Sequence, residues 1–187
     1  MEHFFERIEG WFTFPRLYAM LVQHMPAGGT FVEVGSWKGQ SLAFLAVEAI
    51  RQRRDFRIVA VDTWQGSSEH AAVDSIRQGT LFEEFTANLA PVADRFTTLR
   101  LPSLEAAATF ADGSLDAVFI DAAHEFAAVA ADLEAWYPKV KRGGWFCGHD
   151  YSSAWPGVVR AVDRFFTRRA GELLSRGDEF CWVSRKA

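Results

Sequence analysis

The stretch Thr30-Phe31-Val32-Glu33-Val34-Gly35-Ser36-Trp37-Lys38-Gly39-Gln40-Ser41 decides the fold. An apolar, β-branched run passes through two glycines into the helical pattern of residues 41–50, which predicts a strand, a tight loop and a helix. Gly35 supplies the backbone freedom for the sharp turn, and Gly39 lets a backbone or a ligand come close. Amide groups at the helix start then face whatever binds there. Glu33 is the odd member, because a carboxylate at the end of a core strand needs a partner to offset its desolvation. A ligand with a positive charge or several donors would provide one. The loop reads E-x-G-x-x-x-G and lacks the middle glycine of the dinucleotide fingerprint, which argues against a nicotinamide cofactor.

Working outward, Arg57 to Asp62 is a second short strand ending in an acid, so strand, helix and strand make one crossover unit. Residues 69–93 read as helix with a break near Gln78-Gly79-Thr80, and Arg95 to Leu101 as a third strand. Ser103 to Phe110 is a helix that Ser103 can cap. Leu115 to Asp121 is a fourth strand, Glu125 to Lys139 a helix, and Lys141-Arg142-Gly143-Gly144 a turn into a fifth strand, Trp145 to Gly148. Pro156 opens a last helix, well placed in its first turn. Residues 172–175 and 179–184 form a closing hairpin. Before the loop, the aromatic residues of 3–25, broken by Gly10 and Pro15, make two short helices that cover a sheet edge or a dimer contact. The expectation is an α/β fold with a Rossmann-like, doubly wound, seven-stranded and mainly parallel sheet. A C-terminal antiparallel hairpin completes it, with residues 1–28 as a helical cap on a core spanning 29–187.

With 187 residues, 49% of them hydrophobic, the chain has material for one core and little for a second domain. The net charge of −4 and dispersed basic residues give no nucleic-acid face. Arg51-Gln52-Arg53-Arg54 ends the first helix, where cations complement the dipole. No apolar run approaches the ~18 residues of a membrane span, and the first residues lack signal-peptide order, so a cytoplasmic protein without a membrane partner is expected. Cys147 and Cys181 sit among apolar neighbours in expected strands and read as buried free thiols.

In open α/β sheets ligands bind beyond the carboxyl ends of the strands. Glu33, Asp62, Asp121 and the pair His149-Asp150 all fall there. Four acids on one rim repel each other and lose hydration, which points to a ligand site rather than to four structural choices. Asp62 can accept hydrogen bonds from both hydroxyls of a ribose, or cap the following turn. Asp121, His149 and Asp150 offer a metal set for Mg²⁺ or another divalent cation, with substrate oxygens completing the shell. His124 or His149 can take a proton near working pH. The alternative is that Asp121 only orients the ligand.

The segments 31–41, Val61-Asp62-Thr63-Trp64 with Gly66, 112–124, and Gly143-Gly144 with Gly148-His149-Asp150-Tyr151 resemble class I S-adenosylmethionine-dependent methyltransferases. The group is that of macrocin O-methyltransferase and the cephalosporin-hydroxylase-like proteins, the methyltransferase-24 family. The similarity runs from about Gly10 to the final hairpin. It implies S-adenosylmethionine held by Glu33, Gly35, Ser36, Gly39, Ser41, Asp62, Ser103 and Asp121, with Trp64 stacking on adenine or roofing the substrate, unless Trp64 is simply core. Metal-dependent members place the ion on acids matching positions 121, 149 and 150. Here His149 replaces one acid, and imidazole suits a transition metal or a general base better. Pro102 stands where many relatives carry an acid before the serine.

The expected activity is methylation of a hydroxyl on a small-molecule acceptor, a sugar or an aromatic metabolite, with Asp121, His124 and His149 as catalytic residues. An S-adenosylmethionine-binding protein without turnover and a nicotinamide-dependent oxidoreductase are the alternatives. Trp64, Gln65, Gly66 and His70 are expected to overhang the site and 151–156 to form a lid. The aromatic amino terminus leaves a homodimer open.

Overall fold

The strand expected at the deciding stretch forms as β1 (Thr30–Val34), and the glycine-bearing loop leads into α2 (Gln40–Arg51). A computed structural model describes residues 1–67, 72–169 and 171–187; His70 lies outside them. Ahead of β1, a 3₁₀ turn at Phe5–Arg7 precedes α1 (Pro15–His24). Then follow β2 (Arg57–Asp62), α3 (Asp74–Arg77), α4 (Leu81–Asn88), β3 (Phe96–Arg100), α5 (Ser103–Ala108), β4 (Leu115–Ile120) and α6 (Phe126–Trp136). The chain ends with β5 (Val140–Gly148), α7 (Pro156–Phe166), β6 (Leu173–Arg176) and β7 (Trp182–Arg185). The seven strands lie in the order β3-β2-β1-β4-β5-β7-β6. β7 runs antiparallel to both β5 and β6, and the other pairings are parallel.

Successive strand residues point to opposite faces, and each face has its own helices. Phe31, Ile58, Ala60 and Phe119 share a core with α1, α2 and α4. Val32, Val59, Val118 and Phe146 share one with α6 and α7. Strands buried on both sides explain the continuous apolar runs that replace alternation in the sequence. The break expected near Gln78-Gly79-Thr80 falls between α3 and α4.

Three details differ from expectation. Helix α1 covers the sheet's face, because Tyr18, Leu21 and Val22 pack with Phe31 and Phe119 of the two central strands rather than at an edge. The segment 141–144 is not a free turn: β5 begins at Val140 and runs through it, with a register irregularity opposite Leu115. Cys181 precedes β7 by one residue, although both cysteines are free and buried as expected.

Strand order reverses between β1 and β4, the switch point at which a crevice opens. Here the backbones nearly touch. Gly35 has φ +89°, and a Cβ on it would drive into the carbonyl of Asp121. Gly113 also has positive φ, +63°, but open space around it. Gly113→Ala should therefore cost no more than the ~1–2 kcal/mol of left-handed strain. Gly35→Ala should cost far more in a urea unfolding series, and equal losses would contradict the close approach as the reason for the glycine.

Candidate functional site

A cavity of about 650 Å³ opens at the carboxyl ends of the strands, within the ~300–1000 Å³ usual for small-molecule pockets. Gly35, Ser36, Asp62, Ser103, Asp121, His124, His149 and Asp150 line it, as do Gln40 and Ser41 at the start of α2. The amino-terminal segment forms a further wall through Gly10, Trp11, Phe12 and Phe14. Gln40 ties that segment down by accepting the Phe12 N–H at 3.0 Å.

Glu33 sits behind the wall rather than in it. Its carboxylate is 1% exposed and accepts a hydrogen bond from the Tyr18 hydroxyl at 2.6 Å. Burial pushes its pKa up to about 7, with Tyr18, Ser36 and Ser41 partly offsetting the rise. Oε1 makes no well-formed hydrogen bond among the described residues, and neither does the Ser36 hydroxyl, so the relief that Ser36 brings is weak. Two orphaned oxygens, one on a carboxylate short of positive charge, fit the ammonium end of S-adenosylmethionine at the β1 loop.

Asp62 does line the cavity, but most of its capacity is used within the chain. Oδ2 accepts the N–H groups of Ser36 and Trp37 at 2.9 and 3.0 Å, and Oδ1 accepts that of Trp64 at 2.8 Å. A carboxylate has about four lone-pair sites. One remains open to a ligand. These bonds hold Trp37 and Trp64 at φ +47° and +50°, a conformation that costs non-glycine residues ~1–3 kcal/mol and that collects at functional sites.

Trp64 and Gly39, expected at the cofactor, lie off the cavity wall, and Ser103, which lines it, does not make the expected cap. The Trp64 ring is 2% exposed and packs on Phe82 and Phe85, its indole N–H donating to the Trp37 carbonyl at 3.0 Å, so it belongs to the core. Gly39 makes room for Leu89, whose Cδ1 would lie 2.8 Å from an added Cβ. Ser103 does not cap α5, whose N-cap is Pro102. The Ser103 hydroxyl instead donates to Asp132 at 2.5 Å and accepts from the Trp136 indole at 2.9 Å. Asp132 was legible as an acid among Val129, Leu133 and Trp136 on the buried face of α6.

At the β4 and β5 ends the acids meet two histidines. Asp150, at φ +60°, accepts from His124 Nε2 at 2.9 Å, and the His124 ring stacks on Trp155 with centroids 3.8 Å apart. Trp155 thus anchors the 151–156 segment expected as a lid. His149 Nδ1 lies 3.6 Å from Asp121 and 3.4 Å from Asp150, while Nε2 meets the Thr13 hydroxyl at 2.9 Å. Burial alone would lower the His149 pKa, but the two carboxylates push it up to about 9. Burial opposes ionisation of Asp150 as well, yet its bonds to both histidines hold it well below the usual carboxylate range. The expected metal-ligand set was Asp121, His149 and Asp150; the group whose geometry could hold an ion differs from it in one member. The donors within 4.8 Å of one another belong to Asp121, His124 and Asp150, and His149 serves as their counter-charge. Two oxygens and one imidazole suit a transition metal better than Mg²⁺.

Glu33 yields a pH prediction for the ligand-free protein. Its folded pKa of about 7 exceeds the unfolded 4.5, so the folded state binds more protons between these values and stability falls as pH rises through them. The loss amounts to ~3 kcal/mol once pH exceeds 7. Glu33→Gln should match the parent near pH 4.5 and melt at higher temperature at pH 8; a lower melting point at pH 8 would contradict the buried charge.

The fold has many relatives among solved structures. The O-methyltransferase NovP superposes with a TM-score of 0.71 at 20% identity, covering 94% of this chain and 80% of that one. An O-methyltransferase from Bacillus cereus, solved in complex with SAH, gives 0.62 at 19%, covering 95% and 83%. CalS11, a TDP-rhamnose 3'-O-methyltransferase of calicheamicin biosynthesis, gives 0.61 at 19%, covering 91% and 76%. At such identities the likeness speaks for the fold alone. A search of curated proteins returns no match. The family profile described as a methyltransferase domain matches residues 32–151, well over half of the chain, from within β1 to just past Asp150. The chain belongs to the methyltransferase-24 family and is an S-adenosylmethionine-dependent methyltransferase.

Proposed function

We propose that this methyltransferase acts on a hydroxyl oxygen of a small-molecule acceptor, a sugar or an aromatic ring, with His124 as the base. The observation that carries the reading is the His124–Asp150 pair on the cavity wall, 2.9 Å apart and fixed by the Trp155 stack. When bound, S-adenosylmethionine supplies a methyl group on a positively charged sulfur. His124 takes the hydroxyl proton as the oxygen attacks, and Asp150 orients the ring and stabilises the imidazolium. Asp121, on the adjacent strand end, orients the acceptor hydroxyl. His149 neutralises the two carboxylates, and its bond to Thr13 joins the amino-terminal wall to the site. The walls of Phe12, Phe14 and Trp155 exclude water from the reacting atoms. NovP, CalS11 and the Bacillus cereus enzyme are all O-methyltransferases, which supports the choice of oxygen.

Convergence of the Asp121, His124 and Asp150 donors favours a second reading, in which these residues hold a divalent cation that lowers the pKa of the acceptor hydroxyl. Two measurements separate the readings. With S-adenosylmethionine and a panel of phenols, catechols and sugar nucleotides, His124→Ala should lower kcat by ~10²–10⁴ while S-adenosylhomocysteine affinity stays within ~3-fold. Turnover should survive exhaustive chelation. Turnover lost with EDTA and restored by Mn²⁺ would replace the base mechanism with the metal one, and failure of every hydroxyl acceptor would overturn O-methylation.

A further inference from the structure

The cavity wall carries three carboxylates, those of Asp62, Asp121 and Asp150, and among the described residues no lysine or arginine lines it. Ser68-Glu69-His70-Ala71, outside the described residues, include neither type. Basic residues of the neighbouring segments are engaged elsewhere. Lys38 is 5% exposed and pairs with Glu9 and Glu84 at 2.8 and 3.0 Å. Arg16 donates to Glu179 at 3.1 Å. Arg100 lies over Phe82 and donates to the Thr63 carbonyl at 3.4 Å. It ends β3, three strands from β4 and so ~14 Å from the His124 end at the usual strand spacing. His149 is already set between Asp121 and Asp150. An anionic group entering this cavity would give up its hydration and meet carboxylates rather than a cation of its own.

Polar capacity is scarce at the same end. His124 Nε2 is bonded to Asp150, and His149 Nε2 to the Thr13 hydroxyl. Gln40 uses its side-chain oxygen on the Phe12 N–H. Asp121 then serves the reacting hydroxyl. A sugar brings several more hydroxyls, and each one buried without a partner costs its full desolvation. A phenol brings one or two, and the rest of it is an apolar ring.

A surface for such a ring is present. Trp11 lines the cavity yet is 62% exposed, its ring 5.7 Å from that of Trp37. The segment around it is pinned, Glu9 to Lys38, Phe12 to Gln40 and Thr13 to His149. The indole is thereby held at the rim, and its open face is apolar area that a ligand ring can cover. Phe14 and Trp155 carry the apolar wall on to His149 and His124. We propose that the acceptor is a planar phenol without an anionic group, that its ring packs on Trp11, and that sugar nucleotides are excluded. The proposal rests on the O-methylation reading and narrows its acceptor class.

Turnover of matched acceptors by the full chain tests it: methyl caffeate against caffeate, methyl gallate against gallate, and TDP-rhamnose, all at saturating S-adenosylmethionine and neutral pH. At least one ester should exceed its acid in kcat/KM by ~10-fold or more, the weight of one group left without a partner. TDP-rhamnose should not be methylated. Trp11→Ala should raise KM for that ester by ~5-fold or more, with kcat and S-adenosylhomocysteine affinity within ~3-fold, and Trp11→Phe should recover most of the loss. An acid or the sugar nucleotide used as well as the ester would overturn the proposal while leaving O-methylation standing. So would an unchanged KM in Trp11→Ala, or a loss in that variant that falls on S-adenosylhomocysteine binding. Methylation of no hydroxyl in either class would instead contradict the O-methylation reading itself.

Discussion

The site depends on a row of backbone hydrogen bonds that continues the parallel ladder one residue past the strand ends. Gly35 N–H donates to Val61, Asp121 N–H to Val34 and His149 N–H to Ile120, all between 2.8 and 3.0 Å. Each bond fixes the first residue after a strand, and each of those residues lines the cavity. Because successive strands are bonded at this level, the chemistry of β1, β2, β4 and β5 is brought to one height. The glycine at position 35 is the condition for it, since no side chain fits between the loop and the Asp121 carbonyl. A packed core of two faces holds the ladder in place, and small shifts at the rim are resisted by the same density that resists cavities.

That placement concentrates negative charge, and the protein meets each carboxylate by a different means. Glu33 is held behind the wall by a tyrosine from α1 and shifts toward neutrality. Asp62 accepts hydrogen bonds from three backbone amides, which also set the strained loop conformations of Trp37 and Trp64. Asp150 is paired with His124, and Asp121 shares the cation of His149. His149, set between two carboxylates that favour its protonated form, supplies positive charge from within the chain.

The fold was legible because each decisive signal is local. Apolar runs, Gly35, the acids at 62 and 121, and Pro156 each act within a few residues, and the seven strands follow from their order. The face covered by α1 was not legible, since helical periodicity at 14, 17, 18, 21 and 22 shows that a helix is buried and not against what. The site separates in the same way. Asp62, Asp121, His124, His149 and Asp150 could be named from their places at strand ends. Which histidine faces which carboxylate depends on Thr13 and Phe14, more than a hundred residues away in sequence. Trp64 was ambiguous between core and ligand because a tryptophan after a strand suits either, and Phe82 and Phe85 of α4 decide for the core. Asp132 carried a readable signal, an acid in an apolar helical stripe, whose partner only the tertiary structure supplies.

The central claim is that a methyl group is delivered to oxygen at the His124–Asp150 end of the cavity. Carbon-13 NMR of the product formed from S-adenosylmethionine labelled in its methyl group tests it most directly, using acceptors that offer hydroxyl, amine and thiol groups together. A single labelled resonance in the methoxy region, absent with His124→Ala, is the predicted result. Label on nitrogen, sulfur or carbon, or a methoxy signal undiminished in that variant, would contradict it.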